Sequence, residues 1–385
     1  MKRIATLFVL VLLAMTLLLT GCGADQNDAD AATAQDGHQP LQIIATIFPQ
    51  YDFVRQIAGD RVELSMLLSP GAESHGFEPT PRDIIAINSA DLLIYVGGHG
   101  DEWVHPILAS IDRQDMHTVA LLDLVDAVYQ EMVEGMEHGH HHHDHDHGHH
   151  HHDEDHDHDD HHDHHDDHHD HDHDEHHDDH HHHDHDEHDH DDHDHGHHHH
   201  HHDHHHHHDD EYDEHVWTCP RNAIRIVQAL TEVLADMDAD NADFFRDNAA
   251  AYIAQLQELD AAFAEVVAEG VRSTVIFGDR FPFRYLMDTY GLTYFAAFTG
   301  CSAETQASPT TIAFLITKVQ EENIPVVFHI EFSNRLIADT IAEATGARLL
   351  EMHSTHNVSP ADFNAGITYL DLMWRNVESL REGLN

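Results

Sequence analysis

An α/β fold of two lobes, each a parallel sheet flanked by helices, joined by one long connector helix and carrying a disordered His/Asp-rich insertion, is what this sequence predicts. Three observations lead there. Short apolar, β-branched runs alternate with helix-period patterns from residue 41 onward, and a second series of the same kind fills residues 271–385. Such alternation builds parallel sheets covered by helices. A helical pattern over residues 220–269 lies between the two series and suits a rigid connector. Residues 138–208 contain only His, Asp, Glu and Gly, hold 43 of the 52 histidines, and cannot bury a core.

In the first lobe, residues 41–48 read as a buried strand and 51–58 as the helix after it. Residues 62–68, 91–96 and 117–122 are further strands, with helices over 81–89 and 101–111 between them. The helix at Pro81 is well signed: Thr80 offers a capping hydroxyl, Pro81 suits the first turn, and Asp83 completes the box. In the connector, Ile226, Leu230, Val233 and Leu234 fall at helical spacing, and so do Phe245, Ala249, Tyr252, Ile253 and Leu256. Residues 238–240 mark a place for a break or bend. In the second lobe, residues 273–277, 293–298, 325–330 and 348–352 read as strands, and 283–290, 309–322, 335–345 and 360–384 as helices. Ser359-Pro360-Ala361-Asp362 repeats the start signal of the Pro81 helix, and Ser308-Pro309 is a shorter version. The divisions that follow are 1–22 leader, 23–40 tether, 41–137 first lobe, 138–210 insertion, 211–270 end of the first lobe with the connector, and 271–385 second lobe.

Lys2 and Arg3 precede an apolar run over residues 4–19 that closes on Leu19-Thr20-Gly21-Cys22. The run is short for a spanning helix and has the parts of a secretory signal. Its end resembles the lipobox of bacterial lipoproteins. The resemblance implies lipid attachment at Cys22 and an extracytoplasmic protein anchored to the cell membrane, with residues 23–40 as a flexible tether. Cys219 and Cys301 then remain for one disulfide, and sequence alone leaves open whether they meet.

The formal charge is −56, and the 27 acids of the insertion leave the rest of the chain acidic in its own right, at −29. Such a chain is a poor partner for nucleic acid and a good one for cations. Neutral imidazole ligates Zn2+, Cu2+ and Ni2+, and interleaved carboxylates add charge and oxygen donors. Histidine at this density points to metal binding, since Glu, Lys, Ser or Gly would serve for a spacer. The runs His140, His141, His142, His143 and His197, His198, His199, His200 typify this low-affinity metal loop.

Ligands of parallel α/β sheets gather at loops beyond the carboxyl ends of strands. His75 follows the second strand, and His99 the third. His215 stands just before the connector. Asp279 follows the first strand of the second lobe, Glu331 the third, and His353 and His356 the last. So many His and acidic residues at strand ends point to a shared site between the lobes. The chain has no His-Glu-x-x-His and no Gly-x-Ser-x-Gly, which argues against a metallohydrolase or serine hydrolase.

The motifs also resemble, in order and spacing, the zinc/manganese solute-binding proteins of ABC transporters, the ZnuA-like family. The matching pieces are Pro70-Gly71 leading through His75 to Glu78-Pro79-Thr80-Pro81-Arg82-Asp83, and Ala90-Asp91-Leu92-Leu93-Ile94 before a Gly-rich loop and Glu102-Trp103. The acidic His-rich insertion, His215-Val216-Trp217 with Pro220-Arg221-Asn222, and Tyr290-Gly291-Leu292 complete them. The resemblance implies metal held between two lobes, His75 and His215 as its first two ligands, and delivery to a membrane ABC permease by a monomeric receptor that is not an enzyme. Where the family usually has its third histidine this chain has Arg280, which cannot ligate, with Asp279 beside it. The family's closing carboxylate falls at His353, with His356 a step further. The implied set is three histidines and one carboxylate, which suits tetrahedral Zn2+ better than Mn2+. Glu331 is a candidate to orient a ligand histidine, and Arg280 to pair with Glu331 or Asp279. A surface metal buffer without a transporter is the second reading.

Overall fold

The computed structural model describes residues 39–73, 76–111, 113, 115–136, 211–300, 302 and 306–385. The first sheet is β1 (Gln42–Ala45), β2 (Glu63–Met66), β3 (Leu92–Tyr95) and β4 (His117–Ala120), all parallel, in the order β2-β1-β3-β4. Helices α1 (Phe48–Ala58), α2 (Pro81–Ser89) and α3 (Val104–Ser110) follow β1, β2 and β3. β3 is Leu-Leu-Ile-Tyr and buried throughout, as a strand covered on both faces requires, whereas the edge strand β2 is exposed at alternate positions.

The helical stretch from Pro220 is two helices, α4 (Pro220–Met237) and α5 (Ala242–Glu269). Asp238 ends the first: its carboxylate accepts from Asn241 N at 3.2 Å and Asn241 Nδ2 at 2.7 Å, closing a turn where the sequence marks a break. The long connector is therefore α5 alone. Its buried residues Phe245, Ala249, Tyr252, Leu256, Leu259, Phe263 and Val266 step by four and three along one stripe.

The second sheet repeats the order of the first as β6-β5-β7-β8, again all parallel. Its strands are β5 (Thr274–Phe281), β6 (Thr293–Thr299), β7 (Val326–His329) and β8 (Arg348–Glu351), linked by α6 (Arg284–Tyr290), α7 (Pro309–Glu321) and α8 (Leu336–Thr345). The final helical segment is α9 (Pro360–Ala365) and α10 (Tyr369–Leu384), not one helix. Gly366 stops α9 at φ 75, and Thr368 with Asp371 opens α10 with a new capping box. The helix expected over 101–111 likewise shortens to α3 behind a 3-10 turn at His99–Asp101. The start signals at Thr80, Ser308 and Ser359 are caps, each side chain accepting from the backbone N–H three residues on.

One continuous core joins the lobes. Ile43 and Phe53 of the first lobe and Val275, Phe277 and Phe328 of the second belong to a single buried cluster through α4, α5 and α10. Tyr369 N of α10 donates to Asp52 of α1 at 2.7 Å, and Arg55 donates to Ile367 O at 2.7 Å. Separating the lobes would expose that cluster, so free domain swing is not available.

The chain leaves for the insertion and returns through a narrow neck. Tyr129 and Tyr212 form an antiparallel bridge with rings stacked at 4.6 Å, Gln130 N donates to Glu211 O, and Asp213 N donates to Val128 O. The outgoing segment lies on the second lobe, with Glu131 paired to Arg284 and Val128 N donating to Tyr285 Oη. No described helix is long and apolar enough to cross a membrane.

Candidate metal centre

In each sheet the strand order reverses between the first and third strands, and the carboxyl ends diverge there. The second-lobe switch point opens into a cleft of about 190 Å3 against the first lobe. Ala72 and Glu73 line it from the β2 loop, His215 from the segment before α4, and Asp279, Arg280, Glu331 and His356 from the second lobe.

His215 is 1 % exposed. Asp213, also buried, accepts from His215 N at 2.9 Å and lies 3.1 Å from His215 Nδ1. A carboxylate on Nδ1 fixes the ring and directs coordination through Nε2. Gly300 packs against the Cε1–Nδ1 edge of the ring. A side-chain carbon there would lie 2.8 Å from His215 Cε1 and 2.9 Å from Phe281 O, so only glycine leaves the ring its place. The flanking Trp217 is fully buried and donates Nε1–H to Ser354 O at 2.9 Å, linking His215 to the loop of His356.

That loop, residues 353–357, is held from every side. Ser354 donates from N and Oγ to the two Glu331 oxygens at 2.7 and 2.5 Å. Thr355 sits at φ 59, a conformation unfavourable for a β-branched residue and costing about 1–3 kcal/mol. Its N–H donates to His353 Nδ1 at 3.0 Å. His356 N donates to Ser354 Oγ, and its carbonyl accepts from Phe48 N of the first lobe. Asn357 Nδ2 donates to Ser69 O and Ala72 O at 2.9 Å each. The loop that leads to residue 75 is thus tied to the loop that carries His356. The His356 ring stands 5.7 Å from that of His215 and 5.0 Å from that of Trp217, edge-on to both.

Asp279 lies within β5, which runs to Phe281 and not only to Phe277. A register shift between Phe277 and Arg280 lets the strand leave β7 while it stays paired with β6. Gly278 at this shift passes so close to α8 that a side-chain carbon would lie 2.5 Å from Ala338 Cα. Asp279 accepts from Arg280 N at 2.8 Å and Ile330 N at 3.3 Å. The Arg280 guanidinium reaches across the cleft to Glu73 at 3.1 Å, a partner the sequence reading did not name.

His215, His356, Asp279, Glu331 and Arg280 therefore share one cleft. His353 does not line it: the ring is buried, and its backbone N–H and carbonyl bond Asn376. Among the described residues, no three His, Cys, Asp or Glu side chains are already gathered around one ion position. His75, Cys22, Cys301 and the tract histidines His140 to His143 and His197 to His200 lie outside the described residues. Cys219 is a buried free thiol, 3.2 Å from Thr289 Oγ1. Asp213, Asn357 and Gly300 escaped the sequence reading. An acid two residues before a candidate ligand is a usable signal for the first, and the other two carry none.

Two α/β lobes with a shared helical core and a His- and carboxylate-lined cleft between them define a two-lobed solute-binding protein. The chain belongs to the family described as zinc-uptake complex component A, periplasmic, whose model matches residues 43–383, so the resemblance read from the sequence holds. It is 26% identical over 383 residues to the high-affinity zinc uptake system protein ZnuA of Bacillus subtilis, covering 100% of this chain and 98% of that protein. It is 25% identical to the zinc-binding lipoprotein AdcA of Streptococcus pneumoniae, covering 99% of this chain but only 61% of the longer relative. Two solved structures share the fold. The Zn(II)-bound ZnuA-like domain of S. pneumoniae AdcA has TM-score 0.62 at 22% identity, covering 90% of this chain and 99% of that one. The periplasmic zinc-binding protein TroA of Treponema pallidum has TM-score 0.62 at 17% identity, with the same coverage.

Proposed function

We propose that this chain is a lipid-anchored extracytoplasmic receptor that captures Zn2+ between its lobes and hands it to an ABC permease for uptake. The observation that carries the reading is the meeting of His215 and His356, from opposite sides of the chain, with their rings 5.7 Å apart in the interlobe cleft. Imidazoles so placed need only short side-chain movements to share an ion at about 2.0–2.1 Å. Asp279 supplies the carboxylate from the facing strand end, and His75 the third imidazole. Asp213 orients His215, and Glu331 holds the His356 loop through Ser354. The function is binding and release, not turnover: four protein ligands leave no open position for a reacting water. Anchorage is through Cys22, and the His/Asp tract collects ions at low affinity, raising their concentration near the cleft.

The test is a zinc titration by calorimetry on a chain lacking residues 1–22 and 138–210, with alanine at His75, His215, Asp279 and His356 in turn. One tight site that each substitution weakens is the expected result. Tight binding that disappears with the tract would replace the receptor by a surface metal buffer. Manganese held more tightly than zinc would revise the cargo.

A further inference from the structure

Residues 125–136 leave the first lobe after β4 and run along the second, a further link between the lobes beside α5. Glu131 pairs with Arg284 and accepts from Tyr294 Oη at 3.2 Å. Gly135 packs against the Phe314 ring with no room for a side chain. Midway, this segment meets the one that returns to His215. Tyr129 and Tyr212 form the bridge, and Asp213 N donates to Val128 O at 2.8 Å.

An antiparallel pair in this register exchanges two bonds, the second from Val128 N to Asp213 O. Here a hydroxyl stands between those atoms. Tyr285 Oη accepts from Val128 N at 3.2 Å and donates to Asp213 O at 2.7 Å. Tyr285 and Asp213 are both buried. One oxygen thus fixes residue 213 from the neck side. On its other side Asp213 fixes His215, accepting from its N–H at 2.9 Å and lying 3.1 Å from its Nδ1. Without the hydroxyl, Val128 N and Asp213 O either lose their partner or close on one another to a single bond of about 2.9 Å. Closing draws residue 213 toward the neck, and its carboxylate moves with it. Metal–ligand distances tolerate only about 0.2 Å.

We propose that Tyr285 is a positioning residue of the metal centre: it spaces the neck of the insertion from residue 213 and so sets the carboxylate that aims His215. The inference rests on the zinc-receptor reading above. The linkage runs both ways, so an ion that fixes His215 also tightens the neck.

The test is zinc affinity of the full chain, by competition against a chelator strong enough that only the tightest site fills. Tyr285→Phe should bind about tenfold more weakly. Tyr294→Phe also loses a buried hydroxyl, but one that bonds Glu131 and Arg284 instead of residue 213, and should stay within about twofold. Equal losses in the two variants, or none in Tyr285→Phe, would overturn the assignment. In an Asp213→Ala background Tyr285→Phe should cost nothing further, because the group it places is gone; losses that add in full would overturn it too. The visible spectrum of the first equivalent of Co2+ should change in Tyr285→Phe and not in Tyr294→Phe. An unchanged spectrum would leave Tyr285 a merely structural residue. Should Tyr285→Phe not fold, hydrogen exchange in the unmodified chain decides. Zinc at the same buffered level should slow the amides of Gln130 and Asp213, and His356→Ala should abolish the slowing; no slowing would overturn the linkage. No tight site in the unmodified chain would instead overturn the receptor reading itself.

Discussion

Gly300→Ala adds one methyl group where a ligand imidazole is proposed to sit. The new carbon would lie 2.8 Å from His215 Cε1, 3.0 Å from His215 Nδ1 and 2.9 Å from Phe281 O. Ordinary carbon contacts begin at about 3.5 Å, so the ring has to retreat by roughly 0.7 Å, because the Phe281 carbonyl bars the methyl group from the other direction. Metal–ligand distances tolerate only about 0.2 Å. The displacement also disturbs the Asp213 contact that orients the ring, since the new carbon would lie 3.0 Å from the same Nδ1. The expected loss of zinc affinity is about 10–100-fold, the range seen when ligand orientation is disturbed, equivalent to about 1.4–2.8 kcal/mol. Competition against a chelator of known affinity measures it, and urea unfolding in parallel reads the overpacking cost of about 1–3 kcal/mol. Zinc affinity within about twofold of the unmodified protein, in a variant that folds, would refute the placement of His215 at the ion.

Other substitutions separate neighbouring roles. Asp213→Ala removes the acceptor of both His215 N–H and its ring, and should weaken zinc about 10–100-fold; unchanged affinity by chelator competition would remove Asp213 from the orienting role. His353→Ala leaves the buried Thr355 N–H without its acceptor, and should cost about 1–3 kcal/mol of stability in urea while sparing zinc affinity, whereas His356→Ala should do the reverse. Equal effects of the two on zinc binding would merge the roles assigned here. Imidazolium does not ligate, so zinc affinity should fall as acid protonates the ligand histidines; a flat calorimetric profile from about pH 7.5 to 5.5 would exclude a histidine-based site. Asn357→Ala cuts both hydrogen bonds to the β2 loop, and should raise hydrogen exchange there and slow zinc capture; unchanged exchange would show the tie to be incidental.

The sheets were legible because their central strands are short unbroken apolar runs, Leu-Leu-Ile-Tyr in β3 and Val-Val-Phe-His in β7, and because three helix starts carry their own caps. The breaks were less legible. The turn at Asp238 is made by a side chain folding onto Asn241, and the one at Gly366 by a left-handed residue that helical periodicity does not register. Strand β5 outran its expected end because pairing with β6 resumes past a shift, a tertiary matter. At the site, strand-end logic brought His215, Asp279, Glu331 and His356 to one cleft. It could not choose between His353 and His356, which lie three residues apart. The left-handed Thr355 between them turns one ring toward the cleft and leaves the other among buried partners. Gly300 had no sequence signal, because its importance is the space it leaves for a residue 85 positions earlier.

The tyrosine neck at Tyr129 and Tyr212 has a consequence for how this chain can vary. The segment between those two points leaves and returns through one small bridge. The entropic cost of closing a flexible segment grows with the logarithm of its length, so doubling or halving it changes the cost by only about 0.6 kcal/mol. Stability therefore exerts almost no selection on the number of residues spliced in at this point. The length and histidine content of the segment can therefore be set by its ion chemistry and not by the stability of the fold beneath.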